Sequence, residues 1–416
     1  MRRSWWYRAW FALIGTCVLV CAACSSNSST SSSGSSAAAQ GGAPVLKPGT
    51  YTVGVEAAQT GAAAASVGLP ILAGLQMEIN AANSSAALGP GVKIALNVKN
   101  DGADEATAIP VVRGFISDSS VVGMICCVLS DATGGIKPLL DAAHMPSIIT
   151  SAGLVTATTT GSDIFRAYPL ETTLQPHLVD AFVKAFNPKS AVVVFDSDNQ
   201  AGAAQASAAA NEFKKDGVKV SEVQLLSTDT DMTGPATSII GKAPDVVYQD
   251  LLTAQVPSMI SELTNLGYKG KELAIAGLAD TTLFKNCGKG CVGAVAATAY
   301  VPSPDNSDAF MKQWLPEAQK ATGQQAPSEG FAYGYLAGQF LVAGMKAAAE
   351  ASPGAALTRS SLLAGLHAVK TLPATPFGAL TMNDDQGDAS VITFVQFNAE
   401  GQVVDWNGTA AGLDKP

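Results

Sequence analysis

The sequence predicts an α/β protein of two similar lobes, each a parallel sheet covered by helices on both faces. Three observations carry this. From Tyr51 onward, short β-branched runs alternate with longer alanine-rich helical stretches. The strand runs are apolar almost without a break, the pattern of strands buried on both faces. The second half also repeats the plan of the first. "KIALNVKNDGADEATAIPVVRGFISDSSVVGMICC" and "KVSEVQLLSTDTDMTGPATSIIGKAPDVVYQDLL" both run strand, acidic loop, helix, strand.

The elements follow in order. "YTVGVEA" reads as a strand, and Val67, Ile71, Leu75 and Ile79 set a four-residue apolar stripe on the next helix. "KIALNVKN" is a strand, 103–117 a helix, "VVGMICCV" a strand, 132–143 a helix and "PSIITSA" a fourth strand. After "IFRAYPLE" the rhythm restarts with a helix to Phe186, strand "SAVVVFDSD" and a helix to Asp216. Strand "KVSEVQLL", a helix, strand "DVVYQDLL", a helix to Leu266 and strand "ELAIAGL" complete the second set. Gly217 and Gly267 stand where helix ends want a residue tolerant of positive φ. The apolar stretch 331–345 is bounded by Glu329 and Lys346 and broken by Gly334, Gly338 and Gly344, so it reads as a buried helix, not a membrane span. Ligands of such sheets gather beyond the carboxyl ends of the strands. If those edges face each other, the site is a cleft between the lobes.

The amino terminus carries Arg2, Arg3 and Arg8 with no acid, then an apolar run over 9–20 and small residues up to Cys24. That is an export signal, and the run is shorter than the ~20 residues a span needs. Ala22-Ala23-Cys24 resembles a bacterial lipoprotein box, with Cys21 at the place leucine usually takes. Residues 1–23 are therefore read as a lipoprotein signal peptide, Cys24 as the lipidated residue, and 24–49 as a flexible Ser/Gly/Ala tether. The expected location is the periplasm or the outer face of the cytoplasmic membrane, held by lipid. The net charge of −9 becomes more negative once three arginines leave with the signal, which gives nucleic acid no electrostatic footprint.

Four cysteines remain after the signal and Cys24. Cys287 and Cys291 flank a Gly-Lys-Gly loop whose spacing predicts a disulfide worth about 2 kcal/mol. Cys126 and Cys127 fall in a strand pattern, where neighbours point to opposite faces, and are expected as separate buried thiols. A zinc site lacks paired Cys or His to complete it. "GPATSIIGKA" has the residues of a phosphate loop, but its spacing is two residues too long and Ala243 replaces the Ser/Thr that holds magnesium. His144, His177 and His367 show no metal spacing, and nothing assembles a nucleophile, base and oxyanion hole. No enzyme and no cofactor is expected.

One ordered set of segments is more specific. "YTVGVEAAQTG", "GLQMEINAAN", "GVKIALNVKNDGADEATA", "AHMPSIITSAG", "IFRAYPLETTLQ", "SAVVVFDSDNQAG", "APDVVYQDLL" and "FGALTMNDDQGDASVITFVQFNAEGQVV" follow one another. Over roughly residues 50–410 the chain resembles the branched-chain amino-acid (leucine) binding-protein family of ABC importers. The resemblance implies the type I periplasmic binding fold: two Rossmann-like lobes joined by a three-crossing hinge. Crossings are placed near 168–170, 300–304 and 377–381, giving lobe one as 50–168 with 303–378 and lobe two as 169–302 with 379–416. It also implies a small-molecule ligand rather than a macromolecule, an ABC permease as partner, and a monomer. A ligand-sensing receptor subunit of the same fold is the alternative.

By that resemblance, the loop carrying Ser130, Asp131, Ala132 and Thr133 and the turn Ser151-Ala152-Gly153 clamp a ligand carboxylate, since hydroxyls and backbone N–H groups at a helix start neutralise an anion. Ser130 or Asp131 as a helix cap is the competing reading. Asp131 would repel an anion and suits an ammonium or hydroxyl better. The family's acidic partner for an ammonium falls at Asp280, which reads equally as a helix cap before Thr281. Gln200 and Leu252 complete the predicted lining. Leu154 stands where amino-acid binders offer a hydroxyl, 60–66 has no aromatic, and Gln200-Ala201 replace an aromatic lid. These departures imply a wider, more apolar pocket than leucine requires. Tyr333 and Tyr335 are read as core.

Overall fold

The computed structural model describes residues 45–61, 63–158, 161–252, 255–275, 283–303, 306–383, 386–389 and 392–414. The signal peptide, Cys24 and Asp280 lie outside them. The tether boundary at 49 needs correction: Leu46 is only 2% exposed, and Lys47 N–H donates to the Ala355 carbonyl (2.8 Å). The chain is docked on lobe one from Val45.

The first sheet begins with β1 (Gly49–Ala57), β2 (Val92–Asn100), β3 (Val121–Cys126), β4 (Ser147–Ile149) and β5 (Ile164–Arg166), interleaved with α1 (Leu69–Ser84), α2 (Glu105–Ser117) and α3 (Ser130–Ala143). The second takes β6 (Ser190–Asp196), β7 (Lys219–Leu225), β8 (Val246–Asp250), β9 (Lys271–Ala274) and β10 (Val295–Thr298). Its helices are α4 (Glu171–Phe186), α5 (Gln200–Lys215), α6 (Thr233–Gly241), α7 (Gln255–Asn265) and α8 (Phe284–Cys287). The chain then returns through α9 (Ala309–Thr322), α10 (Glu329–Ala351) and α11 (Arg359–Ala368) to β11 (Thr371–Leu372), β12 (Leu380–Asn383) and β13 (Gln386–Ala389). β14 (Thr393–Phe397) and β15 (Val403–Asp405) close the second sheet.

Strand order is β11-β12-β13-β5-β4-β3-β1-β2 in one sheet and β15-β14-β10-β9-β8-β6-β7 in the other. The inner strands are parallel, while β11, β12, β14 and β15 add an antiparallel margin to each sheet. β6 shows why the strands read as unbroken apolar runs. Val192 and Val194 pack with Ile239 and Met259 on one face, and Ala191 and Val193 with Phe182 and Phe213 on the other. α10 is buried along most of its length against α1, where Gly334 lies on the Ile71 carbonyl and a side chain would not fit.

Two expectations are corrected. The third crossing does not fall at 377–381. β12 and β13 pair in the first sheet, so the chain changes sheet between Ala389 and Thr393, and lobe one extends past 378. Alternation in "FGALTMNDDQGDASVITF" marks strands but not the sheet they join. Cys126 and Cys127 are bonded to each other, not separate thiols. β3 ends at Cys126 and Cys127 turns to φ 74°, so strand alternation no longer applies to the pair. Cys287 is bonded to Cys291.

Candidate functional site

The carboxyl ends of β3 and β4 face the amino end of α5 from the other lobe. Ser130 is the first residue of α3 and is nearly buried, and Leu129, not Ser130 or Asp131, occupies the N-cap without a side-chain bond. The capping alternative therefore fails for both residues. The amino end of α3 keeps its leading N–H groups uncapped, with the positive end of the helix dipole behind them. Thr133 is fully buried and its hydroxyl donates to the Leu129 carbonyl (2.7 Å), so it is turned into its own helix, not toward a ligand. Ala132 is buried and offers only backbone.

Next to this helix end stands the turn after β4. Ser151 Oγ donates to the Val128 carbonyl (2.8 Å), tying the turn to the loop that starts α3. The Ser151 and Ala152 N–H groups both reach the Cys127 carbonyl (3.4 and 3.0 Å), while the Cys127 N–H donates to Glu56 Oε2 (2.7 Å). Burial and the neighbouring Asp101 carboxyl push the Glu56 pKa well up, against the Cys127 N–H bond that favours the carboxylate. Arg166 Nη2 donates to the carbonyls of Ala152 (3.1 Å) and Leu154 (2.7 Å), and Tyr168 Oη also donates to Ala152 (2.5 Å).

The opposite wall belongs to lobe two. Gln200 Nε2 donates to Asp131 Oδ1 (3.2 Å), a direct bond between the lobes, which answers what the exposed Asp131 does here. A Cβ placed on Gly153 would lie 2.8 Å from Ala201 Cβ and 3.3 Å from Gln205 Nε2, so glycine permits this close approach of the turn to α5. Asp250, at the end of β8, is 3% exposed and accepts from Tyr248 Oη (3.1 Å); with its amide oriented to donate, Gln205 reaches both Asp250 oxygens (3.0 and 3.1 Å). Burial, then the nearby Glu171 carboxylate, raises the Asp250 pKa well above its ordinary value. Leu252 is exposed and gives its N–H to Asp196 Oδ2 (3.1 Å). Tyr333 is half-buried, stacking on Phe377 (centroids 5.1 Å) and meeting Tyr168 at a tilt (4.7 Å) near the first crossing.

Ser130, Ser151, Gly153, Asp131 and Gln200 thus come together, whereas Thr133 does not join them. Arg166, Tyr168 and Gln205 carried no expectation as site residues, whereas Asp250 was expected at the end of a lobe-two strand facing the cleft. The one signal for Arg166 was a cation inside an otherwise apolar strand, "IFRAY". Two α/β lobes with an uncapped helix end on one side of a cleft and a buried carboxyl on the other define a two-lobed binding-protein architecture.

The chain belongs to the periplasmic binding protein family, whose model matches residues 50–402. It is a binding protein and not an enzyme. A leucine-binding protein from Thermotoga maritima has the same fold at 18% identity and TM-score 0.74, covering 85% of this chain and 97% of that one. A branched-chain amino-acid binding protein from Streptococcus pneumoniae, solved with isoleucine, matches at 17% identity and TM-score 0.73 over 86% of this chain and 100% of its own. A solute-binding protein of an ABC transporter from R. palustris, solved with benzoate, matches at 20% identity and TM-score 0.73 over 86% and 95%. No curated protein sequence matches the chain.

Proposed function

We propose that the chain captures a small carboxylate-bearing solute in the interlobe cleft and hands it to an ABC permease, tethered to the membrane through lipid on Cys24. The observation that carries this is the uncapped amino end of α3 at Ser130, beside the Ser151–Gly153 turn and facing α5 of the other lobe. Isoleucine and benzoate, held by two of the structural relatives, share a carboxylate and an apolar body and little else. An amino acid would in addition bring an ammonium toward Asp250 and Glu171, whose mutual repulsion it would relieve.

A thermal-shift panel of amino acids, aliphatic and aromatic carboxylates, their amides and sugars tests the reading. A ligand at a hundredfold excess over its Kd stabilises the folded protein by about 2.7 kcal/mol. Stabilisation by carboxylates alone is expected, and stabilisation by sugars or amides alone would overturn it. For the anchor, Cys24→Ala should release the protein from membranes. A variant that still sediments with them would refute lipidation at this residue.

A further inference from the structure

Arg166 ends β5 and is 0% exposed. Its guanidinium meets only neutral oxygens. Nη1 donates to Thr158 Oγ1 (3.3 Å) and Gln386 Oε1 (3.1 Å), Nη2 to the Ala152 and Leu154 carbonyls, and the buried Nε has no partner among the described residues. Among the described residues no carboxylate oxygen lies within 4.0 Å of it. Arginine stays protonated at any pH a protein meets, and a buried charge without a counter-ion is costly to keep. A purely structural cation at this depth would be expected to have an acid beside it.

The geometry of the bonds indicates what the charge is for. In a trans peptide the N–H points away from the C=O. Arg166 and Tyr168 hold the Ala152 carbonyl from one side, so the Gly153 N–H is turned the other way, in a turn packed closely against Ala201 of the other lobe. Among the described residues the Gly153 N–H has no acceptor. The same holds for Val155, whose preceding carbonyl is the second one that Arg166 grips.

We propose that Arg166 is a positioning residue for ligand charge: it fixes the 152–155 peptides with their N–H groups toward the cleft and supplies the uncompensated positive charge behind them. The missing counter-ion is then the ligand's own carboxylate, and the protein selects an anion over a neutral analogue of the same shape. This rests on the carboxylate-binding function proposed above.

The experiment is calorimetric titration of the full-length protein and its Arg166→Gln and Arg166→Lys variants. The probes are isoleucine and benzoate, each paired with its amide. In Arg166→Gln the carboxylate should bind at least about tenfold more weakly, the scale of one charge-assisted hydrogen bond, with amide binding little changed. Arg166→Lys keeps the charge but cannot hold two carbonyls at once, and should recover part of the preference for the carboxylate. Should Arg166→Gln fail to fold, Arg166→Lys and Tyr168→Phe carry the test, each lowering the carboxylate-to-amide ratio. Equal losses for acid and amide would reduce Arg166 to a structural role and overturn the proposal. A wild-type protein that binds neither acid, or prefers the amides, would instead refute the carboxylate reading itself.

Discussion

Gly153→Ala is the perturbation that the geometry defines most sharply. The new methyl would lie 2.8 Å from Ala201 Cβ, about an ångström inside ordinary contact, and 3.3 Å from the flexible end of Gln205. Gly153 belongs to lobe one and Ala201 to lobe two, so neither lobe alone feels the clash. Inserting a methyl into a packed contact costs about 1–3 kcal/mol, which weakens ligand binding by about 5- to 150-fold if the ligand requires the lobes this close. Ala201→Gly in the same protein removes the 2.8 Å contact and leaves the Ala201 Cα 4.0 Å away, so the double variant should recover most of the lost affinity. Calorimetry gives the affinities, and the melting temperature without ligand shows whether each lobe is intact. Unchanged affinity in Gly153→Ala would mean that the ligand-bound state keeps the lobes farther apart than here. A loss that Ala201→Gly does not rescue, with a lowered melting temperature, would place the strain inside the turn and refute the interlobe argument.

Two further outcomes follow from the site and the sheet. Ser130→Ala should lower affinity for a carboxylate by about ten- to a hundredfold, with little change in melting temperature because its hydroxyl caps nothing; Ser151 gives its one hydroxyl proton to Val128, so Ser151→Ala should lower both by loosening the turn. Unchanged affinity in both would displace the clamp. Desolvation holds the Glu272 carboxyl, bonded by Gln249 Nε2 (2.6 Å), up at about 8 against an ordinary 4.5. The folded protein then keeps a proton that the unfolded chain releases, so this stabilisation is full below about pH 4.5 and is lost as pH rises through 8. Denaturant titrations from pH 5 to 9 should show that fall, and Glu272→Gln should flatten it; an unaltered slope would refute the assignment.

The strand and helix alternation was legible because strands such as "AVVV" are buried on both faces, which leaves no polar residue to blur the run. The candidate loops were proposed for a related reason: ligands meet parallel sheets at strand ends, and Ser130, Ser151 and Gly153 come shortly after strands. What escaped depends on the third dimension. Arg166 reads as one charge in an apolar triplet until the carbonyls it grips are known. Asp250 and Gln205 meet only when α5 lies over β8. The Cys126–Cys127 bond was hidden because a single residue at positive φ ends a strand that composition would continue.

The late return of the chain to lobe one has a consequence for how the molecule is made. The first sheet is incomplete until β13 at Gln386–Ala389 has emerged, and the second until β15 at Val403–Asp405. Neither lobe can therefore seal its sheet before these late strands are in place. The Arg166–Gln386 bond joins residues 220 positions apart, so the first sheet closes only over a long loop. Such long-range closure is slow, and a chain that cannot finish either lobe early remains open for longer after it is made. For the lipid-tethered protein proposed above, which would have to be exported, that delay favours threading through a translocation channel before the fold locks.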